Sequence, residues 1–215
     1  MIDLHTHSLL SDGVLIPSEL IRRAWVKGCK AIAITDHADE SNIAVIIKGL
    51  RAVCKAWTLS GITAIAGVEL THIPPERIGA MVKKARKLGA LIVVGHGETL
   101  VEPVAQGTNL AYIKAGVDIL AHPGMVDEEQ CALAVENKVF FELTTRGGHS
   151  LSNGRVAAMA KKTGVKLLIN TDAHAPGDLI DAETAMKVAL GAGLNEGDFK
   201  NIREDAKRFV KKISL

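Results

Sequence analysis

Short apolar segments alternate with amphipathic segments along the whole chain. Seven apolar runs are rich in Val, Ile, Leu and Ala, and most are continuous rather than interrupted at every second position by polar residues. Continuous runs of this kind are typical of parallel strands that are covered on both faces. The predicted strands occupy residues 2–4, 31–35, 63–70, 91–94, 117–121, 139–143 and 166–171.

Helical patterns separate these runs. Residues 17–28 begin at a proline, end at a glycine and place Leu20, Ile21 and Ala24 on one face. The pattern recurs at residues 74–89, 156–164 and 198–213. Basic residues cluster at the end of segment 74–89. We interpret them as the solvated end of a helix rather than as a nucleic-acid-binding patch. Seven strand–helix units without a linker predict one domain, residues 1–215, built as an α/β barrel or a doubly wound sheet.

Composition narrows the class of protein. Hydrophobic residues make up 47% of the 215 residues and aromatic residues only 3%, so we expect one core built mainly from aliphatic side chains. The net charge of +2 comes from 26 basic and 24 acidic residues. This near balance gives no electrostatic footprint for nucleic acid or for an acidic membrane surface.

Cysteine usage and the chain start indicate the compartment. Cys29, Cys54 and Cys131 are far apart and odd in number, which favours reduced, buried thiols over a disulfide framework or a zinc knuckle. The amino terminus has no basic segment followed by an apolar run, so no secretory signal is predicted. No apolar stretch approaches the ~20 residues that cross a bilayer. We therefore expect a cytoplasmic protein with no membrane partner.

Ionisable side chains collect at the ends of the predicted strands. Every strand ends in a histidine or a carboxylate, and six of the eight histidines lie there. In chain order the strand-end residues are His5 and His7, Asp36 and His37, Glu69, His96, His122, Glu142, and Asp172 and His174. In β/α barrels, catalytic groups collect at this rim.

The joint pattern predicts a metal centre. A single histidine at a strand end is more often a hydrogen-bonded core or rim residue than a ligand. A group of imidazoles beside carboxylates favours metal binding instead, because buried ionisable groups are costly unless they are paired or bound to metal. Residues two apart on a strand point to the same face, so His5 and His7 can bind one ion together. Asp172 and His174 repeat that spacing.

The motifs resemble those of the PHP (polymerase and histidinol phosphatase) domain family, in its stand-alone phosphoesterase form, over essentially the whole chain. The first family motif is similar to DLHTHSLLSDG, the second to AIAITDH, the third to GVEL and the last to INTDAH. The resemblance implies a distorted (β/α)7 TIM-like barrel and up to three divalent metal ions. The nine implied ligands are His5, His7, Asp12, His37, Glu69, His96, His122, Asp172 and His174.

The same resemblance distributes these ligands over three ions. His5, His7, Glu69 and Asp172 would hold the first, Glu69, His96 and His122 the second, and Asp12, His37 and His174 the third. Some relatives carry histidine where Asp12 stands. The mixture of imidazole nitrogen and carboxylate oxygen suits Zn, Mn or Fe better than Mg alone. Glu69, Asp172 and His174 are the candidate catalytic residues.

Further residues flank this set. We expect Asp36 to orient an imidazole and His72 to line the rim of the pocket. Glu142 would either orient a ligand or form a buried ion pair. The Gly- and Ser-rich segment 142–154 supplies Arg146 and His149 as substrate-binding candidates, since a guanidinium can bind two phosphate oxygens. The alternative for Arg146 is a surface ion pair with a nearby carboxylate.

Together these features predict a metal-dependent phosphoesterase that hydrolyses a small phosphomonoester, as a histidinol phosphatase does, by attack of a metal-bound hydroxide. A PHP-type nuclease or phosphodiesterase is the first alternative, although few aromatic residues and a balanced charge offer little for nucleic acid. An amidohydrolase-like C–N hydrolase would need a metal-bridging lysine after the fourth strand, and the sequence has none there. The full ligand set argues against a non-catalytic metal-binding module. The sequence leaves open whether a second copy of the chain completes the pocket in a homo-oligomer.

Overall fold

Strands and helices alternate through residues 1–58 and 60–214, the part of the chain that the computed structural model describes. Leu59 and Leu215 belong to the predicted domain range and lie outside the described residues. The strands are β1 (Ile2–Asp3), β2 (Ala31–Ile34), β3 (His37–Ala38), β4 (Thr63–Leu70), β5 (Ile92–His96), β6 (Ile119–Ala121), β7 (Phe140–Thr144) and β8 (Leu167–Asn170). The α-helices are α1 (Pro17–Val26), α2 (Ile43–Thr58), α3 (Pro75–Leu88), α4 (Thr108–Ala115), α5 (Glu128–Asn137), α6 (Asn153–Thr163), α7 (Ala182–Gly191) and α8 (Glu196–Ile213).

The strands form a nearly closed parallel barrel. Within the described ranges, seven strands follow the order β1-β2-β4-β5-β6-β7-β8, while the short β3 pairs with β4. The two ends of this order meet through backbone hydrogen bonds from His7 N to Ala173 O (2.8 Å) and from Asp172 N to His5 O (2.9 Å). The fold prediction of a distorted (β/α)7 barrel is therefore confirmed.

Side-chain hydrogen bonds also join the β1 segment to the β8 segment. The Asp3 carboxylate accepts hydrogen bonds from the Thr171 hydroxyl (2.6 Å) and the Thr171 backbone N–H (3.1 Å). The Asn170 side-chain oxygen accepts from Leu4 N (2.9 Å). Burial raises the pKa of Asp3 to about 6, although the bonds from Thr171 oppose the shift. These side-chain bonds add to the backbone bonds that close the barrel, and β1 itself is one residue shorter than predicted.

Two apolar layers surround the sheet. The larger layer packs the helices against the outer face of the barrel. The smaller layer fills the barrel interior with aliphatic residues such as Leu4, Ile65 and Ile119, together with Phe209 from α8. Since α8 also packs on Ile2 near the chain start, it covers the amino ends of the strands. The carboxyl ends remain as the face that can present a site.

Several sequence-based expectations concern the surface and the thiols. Cys29, Cys54 and Cys131 are buried and form no disulfide with one another. The basic end of α3 is largely exposed, with Arg86 paired to Asp118 (2.6 Å). Across residues 1–58 and 60–214, the helices are all too short or too polar to cross a bilayer. The structure also adds β3, whose two residues are too few to form a pattern in the sequence.

The close packing behind the barrel rim can be tested at Gly95, on β5. A methyl group at Gly95 would lie 2.5–2.8 Å from the ring of Tyr112, and that buried ring is fixed by a hydrogen bond from its hydroxyl to Leu70 O (2.5 Å). We predict that Gly95→Ala lowers the free energy of unfolding by about 1–3 kcal/mol in urea denaturation. Gly79→Ala is the control, because the added methyl meets nothing within 4 Å and alanine favours a helix. Equal stabilities would contradict the packing.

Candidate metal centre

The carboxyl ends of the strands bring most of the predicted ligands together. In the part of the chain that the structure describes, eight of the nine fall into three overlapping groups whose ligand atoms lie within 4.8 Å of one another. The groups are His5, His7 and Asp172; His5, Glu69 and His122; and His7, Asp12, His37 and His174. The remaining predicted ligand, His96, lies beside these groups rather than within one.

The first group is fully buried. His5 Nε2 and His7 Nε2 are 3.1 Å apart, and His7 Nε2 is 3.1 Å from Asp172 Oδ1. Glu69 Oε2 adds a fourth donor, 3.3 Å from His5 Nε2 and 3.6 Å from His7 Nε2. Donors that bind one ion at about 2.0–2.2 Å lie roughly 3–3.5 Å apart, so this spacing suits a single ion.

The Asp12 group is more open. Asp12 lies in the loop after β1, its side chain is 56% exposed, and its carboxylate is 3.2 Å from His174 Nε2 and 3.6 Å from His37 Nε2. Partial burial opposes ionisation, yet the imidazoles of His174 and His37 lower the pKa of Asp12 to about 2. His7 also approaches this group, since its Nδ1 is 4.0 Å from Asp12 Oδ1. One imidazole thus stands between two groups.

Glu69 lies at the centre of the arrangement. The parallel pairing of β3 and β4 places His37 opposite Glu69, with His37 Nδ1 2.8 Å from Glu69 Oε2. The other carboxylate oxygen, Oε1, faces His122 Nε2 at 3.6 Å. Burial would raise the pKa of Glu69, but His5, His37 and His96 hold it well below its ordinary value. Glu69 is therefore a carboxylate that faces imidazoles on both sides.

Several buried polar atoms at these strand ends lack hydrogen-bond partners among the described residues, and this shows whether the side chains suit a cation. Both oxygens of Glu69, Asp172 Oδ1, His7 Nδ1 and His122 Nδ1 are buried and have no partner with hydrogen-bond geometry among residues 1–58 and 60–214. His37 Nδ1, although close to Glu69 Oε2, forms its hydrogen bond with the Thr71 hydroxyl (2.6 Å). Leaving such atoms unpaired is costly, and most buried polar atoms in proteins are paired. Imidazole nitrogen and carboxylate oxygen are ligands for Zn, Mn and Fe. The side chains thus form clusters able to bind divalent transition metals.

The backbone is held in an unusual conformation at this rim. His122 has φ 28° and Asp172 has φ 53°, both in the left-handed region. His72, two residues after the end of β4, has φ 52°. Residues with a side chain rarely adopt such angles, and strained backbone of this kind clusters at functional sites.

Glu142 orients an imidazole. Its carboxylate is 2.8 Å from His5 Nδ1 and accepts hydrogen bonds from the Asn170 amide (2.8 Å) and from His122 N (3.2 Å). A carboxylate that holds one ring nitrogen directs the other nitrogen of the same ring. Of the two roles left open by the sequence, the contacts match the first: Glu142 turns His5 Nε2 toward Glu69.

Asp36 does not orient an imidazole, so that expectation is wrong. Its carboxylate accepts hydrogen bonds from Ser8 N (2.6 Å), the Ser8 hydroxyl (2.7 Å) and the Ser11 hydroxyl (2.9 Å). Adjacent residues in extended chain point to opposite sides, and His37 takes the side that faces the ligands. Asp36 instead fixes the loop that carries Asp12.

Glu102 is a site residue that the sequence analysis missed. It lies in the loop after β5, and its Oε2 is 3.1 Å from His96 Nε2 and 3.5 Å from His72 Nε2. The hydrogen bond with His96 lowers the pKa of Glu102 to about 2. Neither a strand end nor a motif marks this position. The only hint in the sequence is an acidic residue six positions after the histidine of HGE.

Arg146 lies on the same face of the barrel as the clusters. Its guanidinium is one-third exposed and 3.5 Å from Asp178 Oδ2. The same Asp178 oxygen accepts a hydrogen bond from His174 N (2.9 Å). Arg146 therefore contacts a carboxylate, as its alternative role required, and that carboxylate fixes the loop of a predicted ligand.

His149 is buried beside the clusters. Its Nδ1 is 2.8 Å from the Thr99 hydroxyl, and its Nε2 is 3.3 Å from Glu102 Oε1. The ring centroid lies 4.3 Å from that of His122. Because both ring nitrogens face protein partners, His149 is placed to pack against His122 rather than to extend away from the protein.

Metal binding should stabilise the protein, because three ligand groups contain buried atoms without partners. We predict that chelator-treated protein gains about 2.7 kcal/mol of stability when free Zn or Mn reaches 100 times the dissociation constant. Thermal unfolding with and without metal measures this gain. Elemental analysis of protein purified without chelator should find more than one transition-metal ion per chain. No metal in the protein and no shift in unfolding with either metal would contradict the prediction.

Comparison with known proteins places the chain in a family. The family model described as PHP domain matches residues 3–211. An uncharacterized protein of Methanocaldococcus jannaschii is 54% identical over 204 residues, which cover 93% of each chain. A probable phosphatase of Caldanaerobacter subterraneus subsp. tengcongensis is 30% identical over 203 residues, covering 81% of this chain and 76% of that protein. Among solved structures, ochratoxinase of A. niger has a TM-score of 0.62 at 13% identity, and the match covers 92% of this chain and 67% of that one. At this identity the match shows only that the two folds are similar. Because the family model matches almost the whole length of the chain, the chain belongs to the PHP domain family.

Proposed function

We propose that the protein is a metal-dependent phosphoesterase that hydrolyses a small phosphomonoester, with residues 1–215 acting as one PHP domain. The observation that carries the proposal is the position of Glu69. It is fully buried, neither of its oxygens has a partner with hydrogen-bond geometry in the described ranges, and it faces His5 and His37 on one side and His122 on the other. A carboxylate placed in this way suits two cations. Membership of the PHP family, with a relative named probable phosphatase, supports the same function.

The donor groups suggest which residues would hold each ion. His5, His7, Glu69 and Asp172 would hold the first, Glu69, His122 and His96 the second, and Asp12, His37 and His174 the third. When bound, such ions activate water for attack on phosphorus and neutralise charge on the phosphoryl oxygens. The ligand groups support Mn, Zn or Fe in this role.

The protein's own groups would prepare the site for that chemistry. His174 Nδ1 donates a hydrogen bond to Asp172 O (2.9 Å), because a carbonyl oxygen can only accept. This fixes the proton on Nδ1 and leaves His174 Nε2 beside Asp12, free to bind an ion or to exchange a proton. Glu142 holds His5 in a comparable way. Both contacts set ring orientation before any substrate arrives.

Arg146 would bind the phosphoryl group. Its guanidinium is partly exposed, and its 3.5 Å separation from Asp178 leaves N–H groups available to an anion. Asp178 would keep the arginine near His174. His149 would contribute to the substrate pocket by its packing against His122.

The function is tested by a substrate panel. Protein reconstituted with Mn is assayed for phosphate release from phosphomonoesters, including histidinol phosphate, and against phosphodiesters and oligonucleotides. We expect higher kcat/KM on phosphomonoesters than on phosphodiesters with the same leaving group. A preference for diesters would favour a nuclease-type activity instead. No hydrolysis of either class by metal-loaded protein would contradict the proposal.

Loss of the central carboxylate should remove activity. We predict that Glu69→Gln lowers kcat by about 100-fold or more, since removal of one electrostatic element of an active site costs about 10²–10³. Glu40→Gln is the matched control, because Glu40 is an exposed glutamate that pairs with Arg77 (3.4 Å). Assays at saturating substrate measure the effect. A Glu69→Gln enzyme as active as the control would place Glu69 outside the reaction.

Arg146 provides a separate test of substrate binding. Arg146→Ala should lower kcat/KM by roughly 10–150-fold, the equivalent of a charge-assisted hydrogen bond worth ~1.5–3 kcal/mol. Arg146→Lys should recover part of the loss, because it keeps the charge without the two-pronged geometry. Metal content, determined on the same samples, should not change. Wild-type kcat/KM in the alanine variant would return Arg146 to a surface ion pair with Asp178.

A further inference from the structure

Glu102 lies where three loops of the barrel rim meet. Its carboxylate contacts one imidazole from each of three places: His96 Nε2 at the end of β5 (3.1 Å), His72 Nε2 after β4 (3.5 Å) and His149 Nε2 after β7 (3.3 Å). The Glu102 side chain is 35% exposed. It is therefore a carboxylate partly enclosed by imidazoles, unlike the exposed glutamates that pair with lysine or arginine elsewhere on the chain.

The protein holds Glu102 in this place. Thr99, in the same loop, forms a hydrogen bond between its hydroxyl and His149 Nδ1 (2.8 Å). Val101 packs close to Gly148, where an added methyl group would be 3.3 Å from the valine side chain. Polar and apolar contacts thus fasten the loop after β5 to the loop after β7. Glu102 directly follows Val101 in this fastened loop.

His96 is the group on which this arrangement acts. It is the one predicted ligand that lies outside the three ligand groups of the described residues. Its Nε2 faces Glu102, its Nδ1 is buried and has no partner in the described part of the chain, and its ring centroid is 4.5 Å from that of His122. Histidines that bind metal usually donate their other ring N–H to a carboxylate, which fixes the ring.

We propose that Glu102 is a positioning residue of the metal centre, whose carboxylate fixes the His96 imidazole and thereby the ion that His96 and His122 would hold. The inference rests on the proposed function, because it requires that this centre binds metal. It goes further by assigning a role to a loop residue outside the nine ligands. Glu102 acts on one ion only, since its imidazole contacts are with His96, His72 and His149 and with none of the residues around Asp12.

Metal affinity tests the proposal without relying on catalysis. Chelator-treated protein is titrated with Zn in competition with a chromogenic chelator, for wild type, Glu102→Gln, Glu102→Asp and the control Glu40→Gln. Glu102→Gln keeps the shape and loses the charge, whereas Glu102→Asp keeps the charge and shortens the reach. We expect Glu102→Gln to weaken one ion by about 10–100-fold, the range found when the partner of a ligating histidine is removed. The other ions and the control should match wild type, and Glu102→Asp should fall between.

The possible outcomes separate this inference from the proposed function. If wild type binds several ions and Glu102→Gln binds all of them with unchanged affinity, the role of Glu102 is overturned and the phosphoesterase proposal stands. If wild type binds no metal, both are overturned. Urea denaturation of the metal-free variants completes the test. A Glu102→Gln protein that loses every ion and also unfolds at lower urea than wild type would make Glu102 a residue of the fold, which overturns the positioning role.

Discussion

The junction between β1 and β8 is the interaction on which the candidate site depends. Residues at the two ends of the sequence meet there, through backbone hydrogen bonds between His5 and Asp172 and through the Asp3 carboxylate on Thr171. The residues that follow these two strands include four of the nine predicted ligands: His5, His7, Asp172 and His174. If the junction opened, the first ligand group would separate into two halves that are far apart along the chain. Closure of the barrel therefore also assembles the first ligand group.

The strand-end residues could be predicted from the sequence because their geometry is general. Parallel strands in a barrel share one rim, so a histidine or carboxylate at each strand end must approach the others. Glu69 and His122 illustrate this: neither is near the other in sequence, yet they lie 3.6 Å apart. Asp36 and Glu102 could not be placed in this way. Their contacts depend on how loops pack against one another, which strand spacing does not determine.

The pKa values of two neighbouring imidazoles in the centre, His5 and His7, are shifted in opposite directions. Burial opposes protonation of His5, but the carboxylates of Glu142, Glu69 and Asp172 raise its pKa well above the ordinary value. Burial and the nearby His37 and His5 lower the pKa of His7 well below that value. Two histidines two residues apart thus differ sharply in their surroundings.

The left-handed backbone at His122 and Asp172 limits how this centre can be redesigned. Asparagine, aspartate, histidine and glycine tolerate such angles, whereas β-branched residues do not. Replacing a histidine or an aspartate with cysteine would supply a softer, thiolate ligand. This exchange is compatible with the backbone at His7, which is not in the left-handed region. The same exchange at His122 or Asp172 would add conformational strain to the change of ligand. Backbone angle as well as ligand chemistry therefore decides which metal-site variants of this barrel are accessible.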